Sequence, residues 1–417
     1  MRLICSKSRF AGVVMLGGMA LATMSVANAA ESTPPPPPPH LAVPAPAPVE
    51  AAPALAPAPA PEVIPVPAPM PVAEPAPAPA PVVGLEKLPS KISTNFGLRL
   101  GGKIQGATDP KKLNDVALDT IYLEARFGGT INKYFGWQAN FNGKGNPAGS
   151  SGTAAVEDLI LKFDACDAFH VWGGRLLVPS DRSNFSGPYF MSPWNYPGVY
   201  GANFVGPKTG ANGRDDGVVV WGNLAEGKAK YFLGAFNLDD RAKSPLYSGR
   251  ISVALLGSEP GFWGNSTYYG AKEILAVGAG FQYQDKGSGT VDPVSGIGTD
   301  SLTNVMADVL FEKPIPGAGT VSIEGAYYHF DKNQPIKQAF FALGAFLIDS
   351  QIGVGKLQPL IRYQQANPQA GSNLNVLDAF LTYVIHDFDL RLTAGYQRTD
   401  LGTTTANAIQ LGMQIQQ

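Results

Sequence analysis

Residues 119–141 read DTIYLEARFGGTINKYFGWQANF. Ile121, Leu123, Ala125 and Phe127 alternate with Tyr122, Glu124 and Arg126. Successive side chains of an extended strand point to opposite faces, so this segment has one apolar face and one polar, charged face. A short polar interruption at 132–135 follows, and a second strand is expected from 136.

The pattern recurs outward from there. In one direction Phe96, Leu98, Leu100 and Ile104 oppose Arg99, Lys103 and Gln105; in the other Leu390, Leu392, Ala394 and Tyr396 oppose Arg391, Thr393 and Gln397. From Phe96 onward no uncharged apolar run reaches the roughly 18 residues of a membrane helix, whereas a membrane strand needs only about 9–11. Strands are expected at 96–106, 120–131, 136–142, 156–163, 169–177, 217–222, 230–236, 247–255, 273–284, 304–312, 319–330, 339–348, 356–364, 375–385, 388–398 and 406–416. The fold class is all-β, an antiparallel transmembrane barrel of about sixteen strands over 90–417. Connection lengths give a second line of argument. Every even gap but one is short, the odd gaps include 107–119, 143–155, 178–216 and 285–303, and 256–272 alone breaks the rule. Both ends of the barrel then lie on the periplasmic side. A soluble sandwich or propeller is the competing reading. Polar phases turned inward, and Tyr283, Tyr327, Tyr363 and Tyr396 on apolar phases, favour the membrane barrel.

Upstream, Arg2, Lys7 and Arg9 precede an uncharged apolar stretch, Phe10 to Val26, that ends in Ala27-Asn28-Ala29. This is the layout of a secretory signal peptide over 1–29. Of the 37 prolines, 21 fall between Pro34 and Pro81, so 30–89 reads as a proline- and alanine-rich periplasmic linker in extended polyproline form. Glu50, Glu62, Glu74 and Glu86 recur every twelve residues, a multiple of the polyproline turn. Chance spacing and a face that contacts the cell wall both fit.

Beyond the alternation, three stretches (Asp119–Phe141, Gly213–Asn237 and Ser248–Phe262) resemble segments of the phosphate-selective porin (porin O and P) family. The resemblance implies a sixteen-stranded trimeric channel in the outer membrane of a Gram-negative bacterium, with arginines along the pore and a third loop folded inward. It places Arg99, Arg126 and Arg175 on inward strand positions, likens Gly174-Arg175 and Val178-Pro179 to the start of the constriction loop, and also matches Arg250 and Arg362. The final Ile415-Gln416-Gln417 departs from the terminal aromatic common in such barrels, and no dense lysine cluster marks a phosphate site.

On these phases the lumen holds Arg99, Lys103, Arg126, Lys162, Arg175, Arg250, Arg362, Arg391 and Arg398 against Glu124, Asp158, Asp308, Glu324 and Asp378. The excess of bases implies a mild anion preference, because rings of charge set selectivity in a water-filled pore. The 178–216 segment, rich in aromatics, is expected to fold inward and present Asp181 and Arg182 at the constriction, the alternative being a loop packed outside as a trimer latch or surface cap. No HExxH, CxxCH or GxSxG motif occurs, so neither catalysis, a metal nor a cofactor is expected. With 31 Lys and Arg against 33 Asp and Glu, overall charge gives no reason to expect a nucleic-acid partner. The expected partners are outer-membrane lipid, small hydrophilic solutes or anions, the cell wall through the arm, and two further copies in a homotrimer. The leading function is a channel for passive diffusion. The alternative is a structural sleeve for a partner such as a cytochrome, or an anchor between membrane and cell wall.

Overall fold

A computed structural model describes residues 92–106, 113–144, 153–198, 207, 213–237, 242–402 and 404–417. The expected signal peptide, 1–29, and the expected linker, 30–89, lie outside the described residues.

Sixteen strands follow one another along the chain: β1 (Ile92–Gly106), β2 (Leu113–Thr130), β3 (Phe135–Lys144), β4 (Thr153–Cys166), β5 (Phe169–Leu177), β6 (Arg214–Leu224), β7 (Ala229–Phe236), β8 (Leu246–Leu256), β9 (Ile274–Val291), β10 (Gly298–Ile315), β11 (Gly319–His329), β12 (Ile336–Ile348), β13 (Lys356–Pro368), β14 (Leu374–His386), β15 (Leu390–Asp400) and β16 (Thr405–Gln416). Each pairs antiparallel with its sequence neighbours, and β1 pairs with β16 to close the ring. Every expected strand is present. The main difference is length: β9 and β10 are each 18 residues long and run past the expected ends at 284 and 304. Lys286, Gly287, Ser288 and Gly289 are polar or small on both phases, so the alternation stops there while the backbone ladder continues into water.

Strand β14 shows how sequence becomes wall. Val376, Asp378, Phe380, Thr382 and Val384 are buried, and Leu377 and Leu381 between them are exposed. On other strands Leu159, Leu161, Ile251, Ile361 and Leu411 each leave more than half their surface exposed. Apolar exposure repeated around a whole surface suits lipid and not water. Tyr247, Tyr283, Tyr327, Tyr363 and Tyr396 also face outward, and three of them donate to the neighbouring strand: Tyr327 to Gln338 at 3.1 Å, Tyr363 to Asn375 at 3.0 Å and Tyr396 to Asn407 at 2.7 Å. Amphipathic rings in such a row match the interface between hydrocarbon and water.

Candidate functional site

The chain leaving β5 turns into the barrel. Asp181 caps a short helix α1 (Arg182–Ser186) by accepting from the Ser183 amide at 3.2 Å, and the segment then runs on through Gly198. Its contacts fix where it lies. Arg250 on β8 donates to the Ser180 carbonyl at 2.9 Å, Tyr328 on β11 to Asp181 at 2.6 Å, Arg362 on β13 to the Asn195 carbonyl at 2.9 Å, and Arg391 on β15 to the Met191 carbonyl at 2.6 Å. On β1, Arg99 donates to the Trp194 carbonyl and stacks 4.1 Å from its ring. Only a segment inside the ring can touch strands so far apart around it. Two wall glycines make room. A Cβ on Gly97 would sit 2.6 Å from the Tyr189 ring, and one on Gly412 2.5 Å from the Trp194 ring.

A second segment enters from the opposite end. The β8–β9 connection, 257–273, lies at the end of the short turns, where the Glu259 amide donates to the Gly227 carbonyl at 2.9 Å. It rises to meet the first. The Arg182 guanidinium bonds both oxygens of Glu259, at 2.6 and 2.9 Å, and the Asn265 carbonyl at 2.9 Å. Ser266 donates to Glu324, and Thr267 to Glu312 at 2.6 Å. Phe262 stacks on Trp172 with centroids 4.6 Å apart and touches Phe185 and Phe232, so an apolar cluster seats both segments against β5–β7. Burial alone would raise the Glu259 pKa. The doubly bonded Arg182, helped by Lys230, overcomes this and holds the carboxyl well below the usual range. Asp181 goes the other way: burial raises its pKa despite the bond from Tyr328.

Open volume remains on the other side of the lumen. A cavity of about 640 Å³ lies against the short-turn ends of β1–β4. Its wall carries Glu124, Arg126, Gln138, Asn140, Glu157 and Lys162, and its roof is Ser186 to Phe190 together with Trp263. Arg126 bonds both oxygens of Glu124, at 2.7 and 3.0 Å, and its guanidinium lies 4.7 Å from the Tyr189 ring. Arg214 pairs with Asp158 at 3.1 Å and with Glu157 at 3.4 Å. Lys162 donates to Gln138 at 2.7 Å and lies 4.1 Å from the Trp172 ring.

No protein-family model matches the chain, and no curated protein matches it. Solved structures do. Salmonella typhi OmpF in complex with daunomycin aligns at 15% identity over 78% of this chain and 97% of its own, with a TM-score of 0.54. Pseudomonas putida OprB at high pH aligns at 11% identity over 79% and 94%, with a TM-score of 0.54. A loop-deletion mutant of OmpT, an outer membrane protein of Vibrio cholerae, aligns at 17% identity over 79% and 99%, with a TM-score of 0.50. The fold is that of an outer-membrane β-barrel.

Within this outer-membrane barrel the expected lumen residues separate into three groups. Glu124, Arg126 and Lys162 border the cavity. Arg99, Arg250, Arg362 and Arg391, with Asp181 and Arg182 of the loop, are buried, and each makes at least one hydrogen bond that fastens the inward segments, while Arg250, Arg362 and Arg391 also bond Asp308, Asp378 and Gln414 of the wall. Arg175 is on the other face and is corrected: it pairs across the ladder with Leu159, which faces outward, and its guanidinium lies 3.4 Å from exposed Asp216. Strand β5 is apolar on both phases because its inner face packs on the loop, so alternation there carries no phase information. Arg398 is corrected likewise, since Arg391, Thr393 and Gln397 take the inward phase and residue 398 falls opposite them. The Lys103 side chain lies outside the described residues. Reading the sequence missed Glu157, Arg214, Lys230, Glu259 and Glu312, all buried inside. The aromatics of 257–273, Phe262, Trp263, Tyr268 and Tyr269, are the signal for the second inward segment, as the aromatics of 178–216 are for the first.

Proposed function

We propose that the chain is an outer-membrane porin of a Gram-negative bacterium, a water-filled channel for passive diffusion of small hydrophilic solutes. The observation that carries the reading is the cavity inside a closed barrel, walled by charged and amide side chains and roofed by an inward loop. Polar inner and apolar outer walls are what a diffusion pore requires. A sleeve is disfavoured, because the lumen already holds two segments of the chain itself and leaves no room for a folded cytochrome. The anion preference loses its basis. Arg175 and Arg398 face outward, and where Arg214 and Lys230 add two inward bases, Glu157, Glu259 and Glu312 add three inward acids. Membership of the phosphate-selective family is correspondingly not part of the proposal. Three copies in the membrane, and a periplasmic arm that spaces the barrel from the cell wall, belong to the same reading. The test is planar-bilayer recording from the purified protein. Discrete steps of conductance are expected, with a reversal potential near zero in a potassium chloride gradient, and a trimer on cross-linking. A folded barrel that never conducts would overturn the channel.

A further inference from the structure

We propose that the cavity beside β1–β4 is a binding subsite for a neutral polyhydroxylated solute, a small sugar or polyol, in transit; this rests on the channel reading above. The charges along the cavity wall are already paired. Arg126 already holds Glu124 through two bonds, at 2.7 and 3.0 Å, and Arg214 holds Asp158 and Glu157. Asp164 accepts from Trp172 at 2.8 Å and lies 2.7 Å from His170 Nδ1. An incoming anion would have to displace carboxylates from these cations, and an incoming cation would have to displace guanidinium groups. Breaking a buried charge-assisted pair is costly, so neither ion gains much here. Lys162 bonds the neutral Gln138, but shares the inward phase of β4 with Asp158 and Asp164, which offset it.

The wall's hydrogen-bonding groups suit hydroxyls. A hydroxyl both donates and accepts, so adjacent hydroxyls suit a wall where donors and acceptors stand side by side. Guanidinium–carboxylate pairs and the amides of Gln138 and Asn140 give that alternation. Asn140 supplies a specific vacancy. It is 4% exposed, its Nδ2 donates to Asp158 at 2.6 Å, and its Oδ1 has no protein partner among the described residues while the residue borders the cavity. A buried acceptor without a partner is costly to leave unmet, and a turn of the side chain toward the cavity would let a solute hydroxyl meet it.

The shape of the cavity suits a ring. Tyr189, Phe190 and Trp263 form an aromatic roof, contributed by both inward segments, over the polar wall. The C–H face of a sugar ring can lie against such a roof while its hydroxyls reach the wall. The volume of about 640 Å³ falls within the usual range for small-molecule sites.

The experiment uses the full chain in planar bilayers, with potassium chloride as current carrier and three probes: glucose, inorganic phosphate, and a poly(ethylene glycol) of glucose-like size. Glucose is expected to lower the current saturably, with half-saturation on the order of 10 mM. The glycol should lower it only linearly, as a crowding agent does, and phosphate should show no saturation. Asn140→Ala should weaken half-saturation about five-fold, the loss of one hydrogen bond. Its folding is checked by heat-modifiable migration, and the wild-type titration decides the matter if the variant fails to fold. A linear glucose response through a conducting channel would overturn the subsite and leave the channel standing. Saturation by phosphate but not by glucose would overturn the neutral class. Absence of any conductance would overturn both readings together.

Discussion

Arg182 and Glu259 form the contact on which the lumen's arrangement turns, because each belongs to a different inward segment. Both are almost wholly buried, so removing one partner leaves a charge with nothing to neutralise it. Arg182→Ala is predicted to destabilise the folded barrel by about 3–5 kcal/mol in urea titrations, with Glu259→Gln smaller because the amide still accepts a hydrogen bond. The pH dependence follows from the sign of the shift. A carboxyl whose folded pKa is depressed contributes its stability above the unfolded value near 4.3, and loses it only as pH falls toward the lower folded value. Conductance at pH 4 should therefore equal that at pH 7 as far as this pair is concerned. A rise in conductance beginning near pH 5 would show that the Glu259 carboxyl titrates in its ordinary range and is not held ionised by Arg182. At this scale the sequence was only partly legible: the phase of Glu124 and Arg126 could be read from strict alternation, but the partners of Arg182 are set by tertiary approach between residues 77 positions apart.

The strands were the most legible elements. Period two follows from the backbone, and the membrane enforces it by demanding an apolar outer face on every strand. The 257–273 connection was visible only as an exception of length. Its role implies a prediction: replacing 259–271 with a short Gly-Asn turn should raise single-channel conductance at least two-fold and increase the rate of spontaneous current flicker, since α1 loses its support. Unchanged conductance and noise would mean the segment is packing alone. The glycine cradle gives a second test. Gly412→Leu would drive a side chain into the Trp194 ring, which a Cβ alone already approaches to 2.5 Å. Proteolysis near residue 194 should then accelerate by an order of magnitude or more, as the loop leaves its seat.

For the molecule as a whole, charge and connectivity decide selectivity and modularity. Arg175 sits on the outer wall beside Asp216, so Arg175→Gln is expected to leave the reversal potential unchanged, whereas the double variant Arg126→Gln, Lys162→Gln should shift it toward cations at low salt. Deleting 34–81 should leave single-channel current unaltered, because a proline-rich stretch without apolar periodicity has nothing with which to fill a pore. The Tyr189 and Trp194 rings have a further consequence. They rest on Gly97 and Gly412, which belong to β1 and β16, the two strands whose pairing closes the ring. A cylinder zipped shut too early would have to admit bulky rings past a finished wall. Assembly should therefore run in one order, with the loop seated first and the seam last, and time-resolved hydrogen exchange should find the amides of residues 97–105 protected only after those near Trp194. The loop thus serves as an internal gauge, letting the cylinder lock only around a correctly placed interior.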